Sequence, residues 1–435
     1  MVGSERRIRT RQSAIRSLVM SLVFGMSVAV CAAVIDAAPD RIPPVLGEKS
    51  TLREGPGPVS PPAIRFDRTG TLRVAWFEKN ATAGDVYLLG VGPDGRPLSP
   101  PVRVNPDGAE PEALHQSPGL AAGSEGELYV TWSTPNKTAG ALFASDLRLA
   151  RSMDGGRTFQ RPVLVNDDGL PISHVFEDVV ADADGRVYIA WLDGRAKDKS
   201  GAGAVFARSQ DKGATIGANF VIDGMACPCC RPVAALAPDG TLWVAWRKTF
   251  PGNVRDIVVA SSTDKGASFS QPMPVRKDGW VFDACPHRGP SIAFDRQGRL
   301  YVGWYTEGTS EQPRIYLATS DDRGRTFSEP VSLHTSTTAL PDHLRIAVHP
   351  DGAVIAVWEE VTGVRKRVVM RVSEDRGRSF GPVVTLSEGA KAEQPAVAVH
   401  DDGRFAVSWV EHAFPHTRIV VQQGRLPRGE ARQPT

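Results

Sequence analysis

The sequence predicts an all-β fold, a seven-bladed β-propeller of four-stranded antiparallel blades, and three observations carry that expectation. First, a short phrase ending in tryptophan recurs seven times at spacings of 51 to 59 residues. It reads GTLRVAW to Trp76, GELYVTW to Trp132, GRVYIAW to Trp191 and GTLWVAW to Trp246, then GRLYVGW to Trp304, GAVIAVW to Trp358 and GRFAVSW to Trp409. A period of this length marks stacked supersecondary units, each of which buries its apolar face only against a neighbour. Second, one period reads as four short strands, RPVAALA, TLWVAW, DIVVASS and QPMPV, between Arg231 and Val275. Asp239-Gly240 turns the first pair, and STDKGASF closes the next hairpin, so the unit is an antiparallel sheet. Third, no helical period interrupts the units.

The seventh unit stops after its third strand, TRIVVQQ, and a polar tail spans 425–435. A ring closes best when the other end of the chain supplies the missing strand, because closure removes an exposed edge. Residues 44–52 are the candidate. Six blades is the alternative if the first or last unit is degenerate. The expected organisation is a signal peptide over 1–38, a linker with the candidate ring-closing strand over 39–61, the repeat body over 62–424 and the tail.

The leader carries Arg6, Arg7, Arg9, Arg11 and Arg16, then an apolar stretch over 18–35, then small residues at Ala32, Ala33, Ala37 and Ala38. That is a secretory signal with cleavage in the range 32–38. An uncleaved anchor is the alternative, since the stretch is about long enough to span. Export, to a periplasm or the exterior, leaves four cysteines in an oxidising compartment, and the mature chain has no membrane span. With 51 basic and 49 acidic residues the formal charge is +2, and no basic face stands out, which argues against a nucleic-acid partner. At 435 residues and 41% hydrophobic content the chain can bury a large core.

A second motif follows the third strand: SMDGGRTF (152–159), STDKGASF (262–269), SDDRGRTF (320–327) and SEDRGRSF (373–380), with a weaker SQDKGATI (209–216). These strings resemble the Asp-box, S-x-D-x-G-x-T-[FW], of the sialidase (BNR-repeat) superfamily, and the resemblance covers most of the mature chain. In that superfamily the box is structural and lies away from the active face. Asp154, Asp264, Asp322 and Asp375 are accordingly assigned to turns, where Ser and Asp bond the hairpin backbone and Phe pins it to its blade.

Candidate chemistry sits in the segments leading into each first strand, which a propeller gathers at its channel mouth. Nineteen residues before the repeat tryptophan stand Cys227 and Cys285, and seventeen before it stand His115, His174, Cys229 and His287. The local strings are MACPCCRP and DACPHRGP. Equivalent positions in adjacent blades are neighbours, so Cys227, Cys229, Cys230, Cys285 and His287 are expected to cluster, with His115 and His174 facing them. Thiolate and imidazole together suit Cu or Zn as a cofactor. A Cys227–Cys285 disulfide is the competing reading, and a polar channel role is the plainer one for each of the two histidines.

The same segments hold Arg231, Arg288 and Arg345, which resemble the arginine triad that sialidases use to hold a carboxylate. By position rather than by motif, Tyr305 after Trp304, with Glu307 close behind, is the candidate nucleophile pair for such chemistry, and Asp342 or Glu177 the candidate acid. The sialidase [FY]-R-I-P phrase fails in the first unit, where Ser60 of VSPPAIRF takes the arginine place and Arg41-Ile42-Pro43 lies 35 residues before Trp76. Two functions are therefore carried forward. One is an exported propeller that holds a soft or borderline metal, or a partner, at the Cys/His cluster and is non-hydrolytic. The other is an exo-sialidase or related glycoside hydrolase. The partner class is a small molecule, glycan or protein at the mouth. Acidic residues two places after the tryptophan, Glu78, Asp193, Glu360 and Glu411, are expected on a solvated loop face.

Overall fold

Each tryptophan phrase opens on a glycine because the turn before it is left-handed. Gly70, Gly126, Gly185, Gly240, Gly298, Gly352 and Gly403 all have φ between 76° and 95°, a region glycine enters without a Cβ penalty. The aliphatic run then forms the second strand of a sheet. These features come from a computed structural model that describes residues 43–79, 84–105, 116–136, 141, 143–196, 202–389 and 391–427. The leader over 1–38, His115 and most of the tail lie outside the described residues.

The described chain is all-β, with three 3₁₀ turns of three residues each as its helical elements. Unit four shows the pattern: Val233–Leu236, Leu242–Phe250, Val254–Ser262 and Met273–Pro274, each antiparallel to the strand before it. Five sheets have four strands, and units three and four join as one eight-stranded sheet through the single pair Ala226 and Lys248. The N-terminal strand Val45–Gly55 pairs antiparallel with His416–Arg425 and supplies the outer strand of the seventh unit.

The repeat tryptophans lie between units. Trp132 shares a core with Phe77 and Leu88 of unit one, Trp191 with Tyr129 and Leu147 of unit two, and Trp246 with Leu192 and Phe206 of unit three. Trp304, Trp358 and Trp409 repeat this against units four, five and six. Trp76 does so against Ala406, Ile419 and Val421 of unit seven, so the apolar contacts run in a closed cycle. A buried tryptophan removes roughly 150–250 Å² from water, on the order of 4–6 kcal/mol as an upper estimate.

The acidic residues after the tryptophans are not a solvated face. The Trp191 indole N–H donates to Asp193 at 2.8 Å, and Trp409 donates to Glu411 at 3.1 Å. Trp76 makes the longer contact to Glu78, 3.4 Å. Where the chain places Lys248 or Thr306 at that position, an aspartate from the end of the preceding unit takes over: Trp246 donates to Asp223 at 3.0 Å and Trp304 to Asp278 at 2.7 Å. Asp193 is fully buried. A buried indole N–H needs an acceptor, and the carboxylate supplies one without disturbing the backbone ladder.

The second motif is built as a closed hydrogen-bond loop. In the third complete box Ser320 Oγ donates to Asp322 Oδ1 at 2.8 Å, while Asp322 accepts from the Thr326 N–H at 2.9 Å and the Thr326 hydroxyl at 2.6 Å. Those donors hold the Asp322 carboxyl down to about 2. The motif phenylalanines reach past their own sheet: Phe159, Phe269, Phe327 and Phe380 join the cores shared with the preceding unit.

A carboxyl held below its unfolded value of about 3.9 stabilises the fold above that pH and stops doing so as pH falls toward about 2. Asp322→Asn is therefore expected to cost stability at pH 7 but to flatten the loss of stability below pH 4. Urea unfolding midpoints of both proteins across pH 2–7 read this directly, and parallel curves would refute it.

A cavity of about 580 Å³ is lined by the first strands of all seven units, through Arg65, Ala122, Val180, Ala235, Ile292, Ala347 and Val397. Its other walls are turn residues such as Pro238, Pro350 and Asp401. It therefore lies at the turn ends of the first strands, whereas the Cys/His segments stand at their opposite, leading ends.

Candidate metal and anion site

Strand Phe220–Ala226 ends unit three and hands the chain to unit four, where the Cys227 N–H donates to Arg247 O at 2.8 Å. The next turn folds Cys227-Pro228-Cys229-Cys230 back on itself, with the Cys230 N–H 3.5 Å from Cys227 O. Cys227 Sγ consequently lies 3.2 Å from Cys230 Sγ and 4.0 Å from Cys229 Sγ. All three residues are buried, with Phe176 packed against them.

Unit five contributes the outer part. The donor atoms of Cys229, Cys285 and His287 lie within 4.8 Å of one another, as do the sulfurs of Cys227, Cys229 and Cys230. Cys229 belongs to both groups, so five residues form one chain of donors leading from the buried Cys227 to the exposed Cys285 and His287. All four thiols are unbonded, and the sulfur grouped with Cys285 is Cys229 rather than Cys227.

The close contact of the two segments rests on Gly289. A Cβ there would stand 2.2 Å from Arg231 O. Two arginines brace the junction. Arg247, 1% exposed, donates to Arg288 O, to Arg255 O at 2.7 Å and to Tyr305 O at 2.6 Å. Arg255 reaches Cys227 Sγ at 3.3 Å and Ala284 O at 2.8 Å. Hydrogen bonds from the Cys229 and Cys230 thiols, with Arg255 beside them, pull the Cys227 thiol far below its ordinary value. Burial pushes Cys230 up, and the Cys227 and Cys230 sulfurs push Cys229 up. Burial also lowers His287, favouring the neutral ring that binds a metal.

The leading segments are strained. Phe176, His287, His343 and Gln394 all have positive φ, between 47° and 61°. Phe176, His343 and Gln394 sit in bulges where the register shifts between Val175 and Asp178, Asp342 and Arg345, and Glu393 and Ala396. Left-handed non-glycine residues cost on the order of 1–3 kcal/mol each and concentrate where side chains must be re-aimed.

The structure corrects two expectations about this region. His174 does not face the cysteines: its Nδ1 donates to Ser145 O at 2.6 Å, and its Nε2 meets Asp168 at 3.2 Å and Asp193 at 3.7 Å. Arg195 already neutralises both carboxylates, at 3.1 and 3.0 Å. Arg288 and Arg231 also have separate employments. Arg288 makes a two-pronged ion pair with Asp342, at 2.8 and 2.9 Å, and its guanidinium lies 4.4 Å from the Tyr305 ring centroid. Arg231 donates to Ser117 Oγ at 2.8 Å and lies near the buried Glu177, whose carboxyl burial pushes up against that charge. Burial, with Arg231 repelling, pulls Arg345 down to about 10.

Tyr305 does hydrogen-bond Glu307, at 2.6 Å, but it is 3% exposed and burial pushes its hydroxyl up. Asp342 is occupied by Arg288. Sequence reasoning passed over Arg247, Arg255 and Glu359. A signal existed for two of them: the place after the repeat tryptophan is Phe77, Ser133, Leu192, Tyr305 and Val410 elsewhere, so Arg247 and Glu359 are the charged exceptions. Glu359 is fully buried and sits 2.8 Å from His343 Nδ1.

The fold is similar to that of BNR-repeat and sialidase-like proteins. A family model described as a BNR repeat-like domain matches residues 70–278. Among solved structures the chain is similar to a Dyadobacter fermentans protein of unknown function, at 13% identity and a TM-score of 0.53, over 87% of this chain and 99% of that one. A polysaccharide lyase described as an ulvan lyase aligns at 12% identity and a TM-score of 0.56, over 84% and 95%. The Hadza microbial sialidase Hz136 aligns at 18% identity and a TM-score of 0.50, over 82% and 73%. No curated protein matches the sequence significantly. Among the described residues no helix is long and apolar enough to cross a membrane.

Proposed function

We propose that the chain is an exported seven-bladed propeller that holds a soft or borderline metal, Cu(I) or Zn²⁺, at the mouth of its ring and hydrolyses nothing there. One observation carries this reading: three thiols from unit four and a thiol and imidazole from unit five converge on a single chain of donor atoms. Soft thiolates with one imidazole select Cu(I) and Zn²⁺ over Mg²⁺ or Ca²⁺. The seven-blade reading is supported by the closed cycle of shared cores and by the N-terminal strand paired with the last one.

Purified, reduced protein loaded with Zn²⁺ or Cu(I) and desalted is expected to retain about one equivalent, with Cys229, Cys285 and His287 as ligands and Cys227 or Cys230 as the fourth. Because Cys229 is common to both groups, Cys229→Ser is expected to abolish retention. Retention that survives this change, or wild-type protein that keeps no metal, ends the reading.

A glycan-directed function is the second reading, supported by two fold neighbours named for polysaccharide or sialoside chemistry and by the Tyr305–Glu307 contact. Burial of Tyr305 and the Arg288–Asp342 pair weigh against it. A fluorogenic sialoside tested with wild type, Arg288→Ala and Tyr305→Phe separates the two readings. Turnover lost in both variants would favour the hydrolase.

A further inference from the structure

We infer that the four thiols form a two-stage disulfide relay, in which an exposed Cys229–Cys285 bridge passes oxidation inward to a buried Cys227–Cys230 bridge. The inference concerns the same sulfurs as the proposed metal site but does not require that a metal bind there. Three features carry it. Cys227 and Cys230 have C-x-x-C spacing in a tight turn, and their sulfurs are 3.2 Å apart, so bonding needs a movement of only about 1 Å to the disulfide length. Cys229 and Cys285 form a second pair, within 4.8 Å. Accessibility is graded along the row: Cys285 is exposed, Cys229 is 4% exposed, and Cys227 and Cys230 are fully buried. A dissolved oxidant therefore meets Cys285 first.

The steps balance with a low-molecular-weight disulfide, R–S–S–R, as oxidant. The Cys285 thiolate attacks it, forming a mixed disulfide and releasing one RS⁻. Cys229 attacks the Cys285 sulfur, giving Cys229–Cys285 and releasing the second R–SH. The Cys227 thiolate, 4.0 Å away and held by Arg255, then attacks the Cys229 sulfur and frees Cys285. Cys230 displaces Cys229 from Cys227, leaving Cys227–Cys230 and two outer thiols. A second R–S–S–R re-forms the outer bridge. Four protein thiols are oxidised and four R–SH are produced. Each exchange is a thiolate displacement along a row of neighbouring sulfurs.

The test uses the full chain, reduced, stripped of metal and titrated with oxidised glutathione, with bridges mapped by peptide mass spectrometry. Cys229–Cys285 and Cys227–Cys230 are the expected bridges. Cys285→Ser, a change at an exposed position, is expected to slow formation of the inner bridge at least about tenfold, because the oxidant loses its accessible thiol. A Cys227–Cys285 bridge, thiols that stay reduced in excess oxidant, or an inner bridge formed at the wild-type rate in Cys285→Ser would each overturn the relay. Metal retention by the reduced protein is read separately, so either idea fails without the other.

Discussion

Replacing Gly289 with alanine is expected to break open the site and lower the stability of the whole fold. The added carbon would stand 2.2 Å from Arg231 O and 3.2 Å from two further Arg231 backbone atoms. Backbone cannot swing aside as a side chain can, so the segment carrying Cys285 and His287 must retreat from the one carrying Cys229. Overpacking of this kind costs about 1–3 kcal/mol where the structure yields. A retreat of about 1 Å would also weaken the proposed metal binding by roughly 10–100-fold, the scale seen when support around metal ligands is lost. Gly381→Ala is the control, because its Cβ would find no atom nearer than 3.5 Å and no positive φ opposes it. Thermal unfolding and metal titration of both variants decide the matter. Wild-type values for Gly289→Ala would show that the two segments do not touch.

The second large effect is expected from Arg247→Met. This guanidinium is buried, lies 4.7 Å from the Trp280 ring centroid and is satisfied by three backbone carbonyls, Arg255 O in unit four and Arg288 O and Tyr305 O in unit five. Methionine keeps the unbranched apolar stem but removes every donor. Each buried carbonyl left without a partner costs about 1–3 kcal/mol, so a total of about 3–5 kcal/mol is expected. The loss is to be seen as a lower urea midpoint with an unchanged slope. Since Arg288 O belongs to the His287 segment, metal retention is expected to fall as well. An unchanged midpoint would mean that water replaces the guanidinium at no cost.

Much of the fold was legible because its signals are local and repeated. A glycine six places before each tryptophan announces a left-handed turn, and all seven adopt it. The Ser, Asp and Thr of the second motif close their own hydrogen-bond loops within five residues, so spacing alone predicts them. The juxtaposition of Cys229, Cys285 and His287 was legible too, since counting from a shared landmark places equivalent positions of adjacent units side by side.

The same counting misled for His174. Its register is right, but it begins a bulged strand, and the carboxylates of Asp168 and Asp193 claim its ring for the interior. The arginines are a related case. Arg231, Arg288 and Arg345 all fall in leading segments, but 15, 16 and 13 residues before Trp246, Trp304 and Trp358, and their partners are set by which groups of neighbouring units lie within reach. Asp342, three residues before Arg345, is taken by Arg288 of the neighbouring unit. The acidic residues after the tryptophans were misread because a partner as near as an indole two residues away is visible only once the strand is drawn and both side chains are seen on one face.

The amino-acid sequence by itself determined the repeat unit, its strands and its turns, because turn chemistry and apolar alternation are properties of a few consecutive residues. Tertiary structure alone decided that Cys229 joins the buried sulfurs to the exposed pair, that Arg247 and Arg255 brace them, and that Tyr305 is shut away from solvent. Those outcomes depend on distances of a few ångströms between residues of different units, and such distances are set by how the sheets pack.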